Sequence, residues 1–137
     1  MTKNTAIKAR FVLFCDNAFN STDGKLNIIG EFNQIYSTQE KPVLNRGFVV
    51  ASFKGEPGSK ADFEVRLASE KDEDVVPRQV LTVTFAPGGG ANILIEINGL
   101  VFPKAGVYRA TFKVKGKLLA DSEVIVSRVQ QQSPAAS

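Results

Sequence analysis

Apolar residues recur at every second position through nearly the whole chain, and this alternation restricts the fold more than any other feature of the sequence. In a strand, successive side chains point to opposite faces, so such a pattern gives one side to a core and the other to water. Residues 61–67 show it most clearly: Phe63, Val65 and Leu67 share one face, while Asp62, Glu64 and Arg66 share the other. In 108–115 the inward set is Tyr108, Ala110, Phe112 and Val114, and the outward set is Arg109, Thr111, Lys113 and Lys115. Gly116 then supplies a tight turn into 117–127, which predicts a hairpin. The same reading places strands at 7–16, 25–36, 47–55, 79–85 and 92–98, with the turn pairs Asp23-Gly24 and Pro57-Gly58 between them. No segment keeps a helical period for three turns. The prediction is an all-β fold: a single antiparallel immunoglobulin-like β-sandwich of about seven or eight strands.

With 137 residues, the chain suits one core. The sandwich is assigned to 1–128, and the polar, proline-containing 129–137 to a mobile tail. No apolar run approaches the roughly 20 residues that cross a bilayer, and 11–15 is too short for a signal-peptide core. The lone Cys15 sits in an apolar stretch, where it reads as a small buried side chain in a reducing compartment. A cytoplasmic protein without a membrane partner is expected. The formal charge of +3 is mild. Arg109, Lys113, Lys115 and Lys117 form a basic row with no alternating exposed aromatic, so they read as guards of an edge strand and nucleic acid is not an expected partner.

The chemistry is restricted as well. The chain has no histidine, which removes the Ser-His and Cys-His nucleophile pairs and the commonest zinc ligand. Asp62 and Glu64 project from one strand face, roughly 7 Å apart, but Arg66 continues the row and the three read as a solvated face. Glu70, Asp72, Glu73 and Asp74 lack the spacing and central glycine of an EF-hand and read as a hydrated turn. Gly88, Gly89 and Gly90 precede a strand instead of a Lys-Ser/Thr pair and a helix, so they read as a flexible connection. The expectation is a protein that is not an enzyme, with no catalytic residue, cofactor or metal site.

Residues 23–35, Asp-Gly-Lys-Leu-Asn-Ile-Ile-Gly-Glu-Phe-Asn-Gln-Ile, follow an apolar strand ending Phe14-Cys15-Asp16. Together they resemble an uncharacterised family of small bacterial and phage-associated β-sandwich proteins. Residues 102–118, Phe-Pro-Lys-Ala-Gly-Val-Tyr-Arg-Ala-Thr-Phe-Lys-Val-Lys-Gly-Lys-Leu, resemble that family's closing hairpin and the end of many immunoglobulin-like domains. The resemblance spans residues 7–127 and departs at 86–90, where Pro87 and three glycines fall together. It implies a fold and no activity. On the residues alone, Tyr108 after Gly106 predicts a buried phenol whose hydroxyl returns to nearby backbone.

One surface draws attention. Lys8 and Arg10 set an outward phase in the first strand that places Val12 and Phe14 outward, and Lys25, Asn27, Glu31 and Asn33 do the same for Ile29 in the second. Were these strands neighbours, Val12, Phe14 and Ile29 would form an apolar patch of a kind monomers rarely leave bare. Three accounts are open: cover by the chain's own 100–102 segment, an interface with another protein or a second copy, or a β-bulge that shifts the phase. The functional expectation is a protein-binding or assembly module acting through an outer apolar sheet face. The alternative is a structural component of a phage particle or similar multi-copy assembly, which would place it within a virion.

Overall fold

Alternating side chains and turn glycines give nine strands and no helix in the computed structural model, which describes residues 6–130. In chain order they are β1 (Lys8–Asn20), β2 (Leu26–Phe32), β3 (Gln34–Ser37), β4 (Val43–Lys54), β5 (Lys60–Ser69), β6 (Gln79–Thr84), β7 (Gly90–Val101), β8 (Gly106–Val114) and β9 (Lys117–Arg128). The ninth strand arises where one was expected over 25–36: the chain bends at Asn33 and passes from one sheet to the other, splitting that segment into β2 and β3. The expected tail begins at 129; Val129 donates its amide to the Ser37 carbonyl at 2.8 Å, and residues 131–137 lie outside the described residues.

The strands form a four-stranded sheet, in the order β2-β1-β4-β7, and a five-stranded sheet, in the order β3-β9-β8-β5-β6. All pairings are antiparallel except β3 on β9, which is parallel, so the second sheet is mixed where an antiparallel one was expected. The two sheets share one core. Phe53 of β4 lies 4.7 Å from Phe63 of β5 and 5.7 Å from Phe112 of β8, ring centre to ring centre. Each fully buried ring of this kind contributes about 1.5–3 kcal/mol over exposure.

Turn chemistry fixes the connections. Val114 pairs with Lys117 across a two-residue loop in which Lys115 and Gly116 both take positive φ, 51° and 78°. That is the geometry whose twist matches a hairpin, and it bears out the turn read from Gly116. At the same end of the sandwich, 86–90 is hydrogen bonded and not loose: Gly89 donates to Ala86, Ala86 to Gly90, and Gly55 to Gly89. A Cβ on Gly89 would come within 2.8 Å of the Gly55 carbonyl, so glycine is needed there for close approach. The far end is closed by Phe102 and Tyr108, with rings 4.7 Å apart. The Tyr108 hydroxyl donates to the Lys104 carbonyl at 2.6 Å, as the sequence predicted.

Candidate interaction face

The patch drawn from the sequence is not formed, because the phase of β1 changes partway. Ala9 pairs with Phe53 but Phe11 pairs with Ser52, so Arg10 is an extra residue opposite β4, a bulge that exchanges the two faces beyond it. Val12 and Phe14 consequently point between the sheets: Phe14 is 2% exposed in the main core, opposite Val49, and Val12 packs against the same core. Ile29, opposite Asn17 on the edge strand β2, is 53% exposed and does not join them. Of the accounts considered, the bulge is the one the structure contains. Leu100 and Phe102 are core residues rather than a cover for an outer patch.

The same bulge turns a different set of residues outward. Phe11, Leu13 and Cys15 of β1 sit opposite Ser52, Val50 and Phe48 of β4, and Val50 is followed across the sheet by Leu94 of β7. Together with Ala18, Leu26 and Ile28, the apolar members of this set, Ser52 apart, make a second apolar cluster, separate from the core and on the outer side of the four-stranded sheet. Cys15 and Val50 are buried within it by their own neighbours, while Phe11, Leu13, Ile28 and Leu94 are half-buried. Among the described residues no further layer packs over this cluster. Arginines border it: the Arg10 guanidinium lies 5.9 Å from the Phe11 ring centre, and that of Arg46 lies 5.6 Å from Phe48. Arg46 is also paired with Glu96 of β7 at 3.5 Å. Sequence reasoning missed this face because a bulge leaves no mark in an alternation that is apolar on both sides, as it is from Phe11 to Cys15.

The remaining candidates resolve into structure. Arg66 does not share a solvated face with Asp62 and Glu64; it is buried, ion-paired to Asp72 at 2.8 Å and to Asp74 at 2.9 Å. Arg78 reaches the other Asp74 oxygen at 2.9 Å. The acidic loop therefore clamps an arginine. The Arg78 hydrogen bond, joined by Arg66, holds the Asp74 carboxyl below its ordinary range even though burial acts the other way. Asp62 accepts from the Thr82 hydroxyl at 2.7 Å, and Glu64 faces Arg78. Arg109 and Lys113 of the basic row are not on an edge either, since β8 lies between β9 and β5, and Arg109 pairs with Asp121 and Glu123; Lys117 begins β9, which β3 joins only from Ile125 to Arg128. No cluster of three metal-ligating side chains occurs among the described residues. No helix in them is long and apolar enough to cross a membrane.

Residues 10–127 match a family of unknown function, DUF6941. The chain belongs to that family. A comparison with curated proteins finds no match. Among solved structures, an immunoglobulin-like protein from Pseudomonas aeruginosa is similar, with a TM-score of 0.51 and 10% identity over 92% of this chain and 100% of that one. This likeness assigns the immunoglobulin-like fold to the DUF6941 chain. An alkylpurine DNA glycosylase from Pseudomonas fluorescens, solved with DNA containing an abasic site analog, is similar at a TM-score of 0.48 and 11% identity. The match covers 88% of this chain and 30% of the glycosylase.

Proposed function

We propose that this domain is a non-enzymatic protein-binding module that buries the outer apolar face of its four-stranded sheet against a protein partner. One observation carries the reading: Phe11, Leu13, Phe48 and Leu94 form an apolar cluster on the side of that sheet facing away from the core, with no layer of the described residues over it. Sheets that face water on one side ordinarily alternate apolar with polar, and this one is apolar on both. A cytoplasmic setting, or a virion for a phage-borne copy, belongs to the same proposal. It is supported by a single cysteine that has no partner for a disulfide.

The test is affinity capture from the native cell with wild type and with Phe11→Lys and Leu13→Lys. Both positions are half-buried on the outer face, so the variants should fold, which circular dichroism checks. The proposal expects a protein captured by wild type and lost from both variants. An unchanged set of captured proteins overturns it.

A further inference from the structure

The four strand edges of the sandwich are unequally guarded. β3 has four residues, β6 has six, and β2 has seven with a positive φ of 70° at Gly30. β7 has twelve, in unbroken register with β4 from Val43 opposite Val101 to Lys54 opposite Gly90. Natural sheets blunt an edge with short strands, lysine, proline or a bulge. β7 has none of these; its single charge is Glu96, and its one backbone departure is the positive φ of Gly99 near its end. Among the described residues, the backbone from Ala91 to Val101 has no strand partner other than β4.

The order of residues in β7 indicates what completes it. Residues 91–99 read Ala-Asn-Ile-Leu-Ile-Glu-Ile-Asn-Gly, and about Ile95 the run is nearly the same in both directions. Ile93 mirrors Ile97, Asn92 mirrors Asn98, and Ala91 mirrors Gly99. A two-fold pairing of identical strands sets each residue opposite its mirror position, so only a self-complementary strand suits it. The isoleucines share the inward face, opposite Ala51, Val49 and Gly47 of β4, and would meet isoleucine across the new ladder. On the outer face, Glu96 would meet Leu94 of the second copy and not another Glu96, so no like charges face one another. A cavity of about 330 Å³ lies between β7 and the opposite sheet, lined by Ile95, Ile97 and Leu100 on one side and Val65, Val76 and Pro77 on the other. A second isoleucine row beside it would cover apolar side chains that β7 leaves half-exposed.

We infer that β7 pairs antiparallel with β7 of a second copy about a two-fold axis at Ile95, joining the two four-stranded sheets into one continuous sheet. The partner is this same chain, and the contact is the strand edge rather than the outer face. The two readings fail separately, since Phe11→Lys and Leu13→Lys act on the face and leave the β7 edge intact.

Analytical ultracentrifugation of the full chain from micromolar to millimolar concentration tests the inference. Wild type is expected to dimerise. Leu94→Glu sets carboxylates against Glu96 on both sides of the axis and should weaken the dimer tenfold or more. Leu94→Lys sets an ammonium there and should leave the dimer as tight or tighter. Leu94→Glu with Glu96→Lys should restore it. Both single variants remove the same leucine from the outer cluster, so a merely structural role would make them alike. Equal effects of the two, or a wild type monomeric throughout, overturn the inference. A readout that needs no variant is hydrogen exchange of wild type: the β7 amides directed away from β4 should gain protection with concentration, and concentration-independent exchange overturns it too.

Discussion

The rings of Phe14 and Phe32 lie 6.1 Å apart, tilted by 37°, on the inner side of the paired strands β1 and β2. Their contact follows from the bulge at Arg10, which sends Phe14 toward the five-stranded sheet instead of into solvent. Phe14→Ala should therefore cost about 3–5 kcal/mol, the usual range for truncating a buried phenylalanine. Urea unfolding monitored by circular dichroism would measure it. A loss within the range of surface substitutions, about 0.5 kcal/mol or less, would contradict the placement of Phe14.

Tyr108 is 1% exposed, and its hydroxyl has the Lys104 carbonyl as its partner at 2.6 Å. Tyr108→Phe keeps the ring against Phe102 and removes only this bond. A destabilisation of about 1 kcal/mol is expected, typical of a neutral hydrogen bond. Equal melting and urea midpoints for the two proteins would show that the bond adds nothing.

The clamp on Arg66 makes stability depend on acid. Asp74 has its carboxyl held low, chiefly by Arg78 and then by Arg66, so the folded state gives up its proton more readily than the unfolded chain. Its contribution is complete above the ordinary carboxylate range and disappears as pH falls through the lower folded value. Asp74→Asn should be less stable than wild type at neutral pH, and the difference should shrink on acidification. A difference in urea midpoint that stays constant from neutral to acidic pH would argue against the clamp.

Cys15 is buried within the outer cluster, and its thiol points toward the Asn17 carbonyl at 3.3 Å. Burial is the main cause that pushes its pKa upward, so little thiolate forms near neutral pH. Labelling of the native protein with a thiol reagent should be slow, and in urea its rate should rise along the unfolding transition. Labelling at the rate of a free thiol without denaturant would place Cys15 in solvent.

Much of the architecture was legible because strands announce themselves locally. The alternation at 61–67 and 108–115 and the Lys115-Gly116 turn are properties of neighbours in sequence, and β5, β8 and β9 appear where they were read. So was the Tyr108 corner, since its partner lies four residues away. The candidate face was legible only in outline. The alternation implies an apolar outer surface on β1 but places Val12 and Phe14 there in place of Phe11, Leu13 and Cys15. From Phe11 to Cys15 every residue is apolar, and such a run has no phase of its own.

Most of the strands, most of their turns and the lack of histidine chemistry are thus written in residue type and short-range spacing. Tertiary structure alone decided which side of β1 faces the core, that Arg66 is buried beneath its aspartates, and that β7 ends a sheet. Each of these depends on register with a distant strand: one extra residue against β4 exchanges the faces of β1, and only sheet order distinguishes an edge from an interior strand.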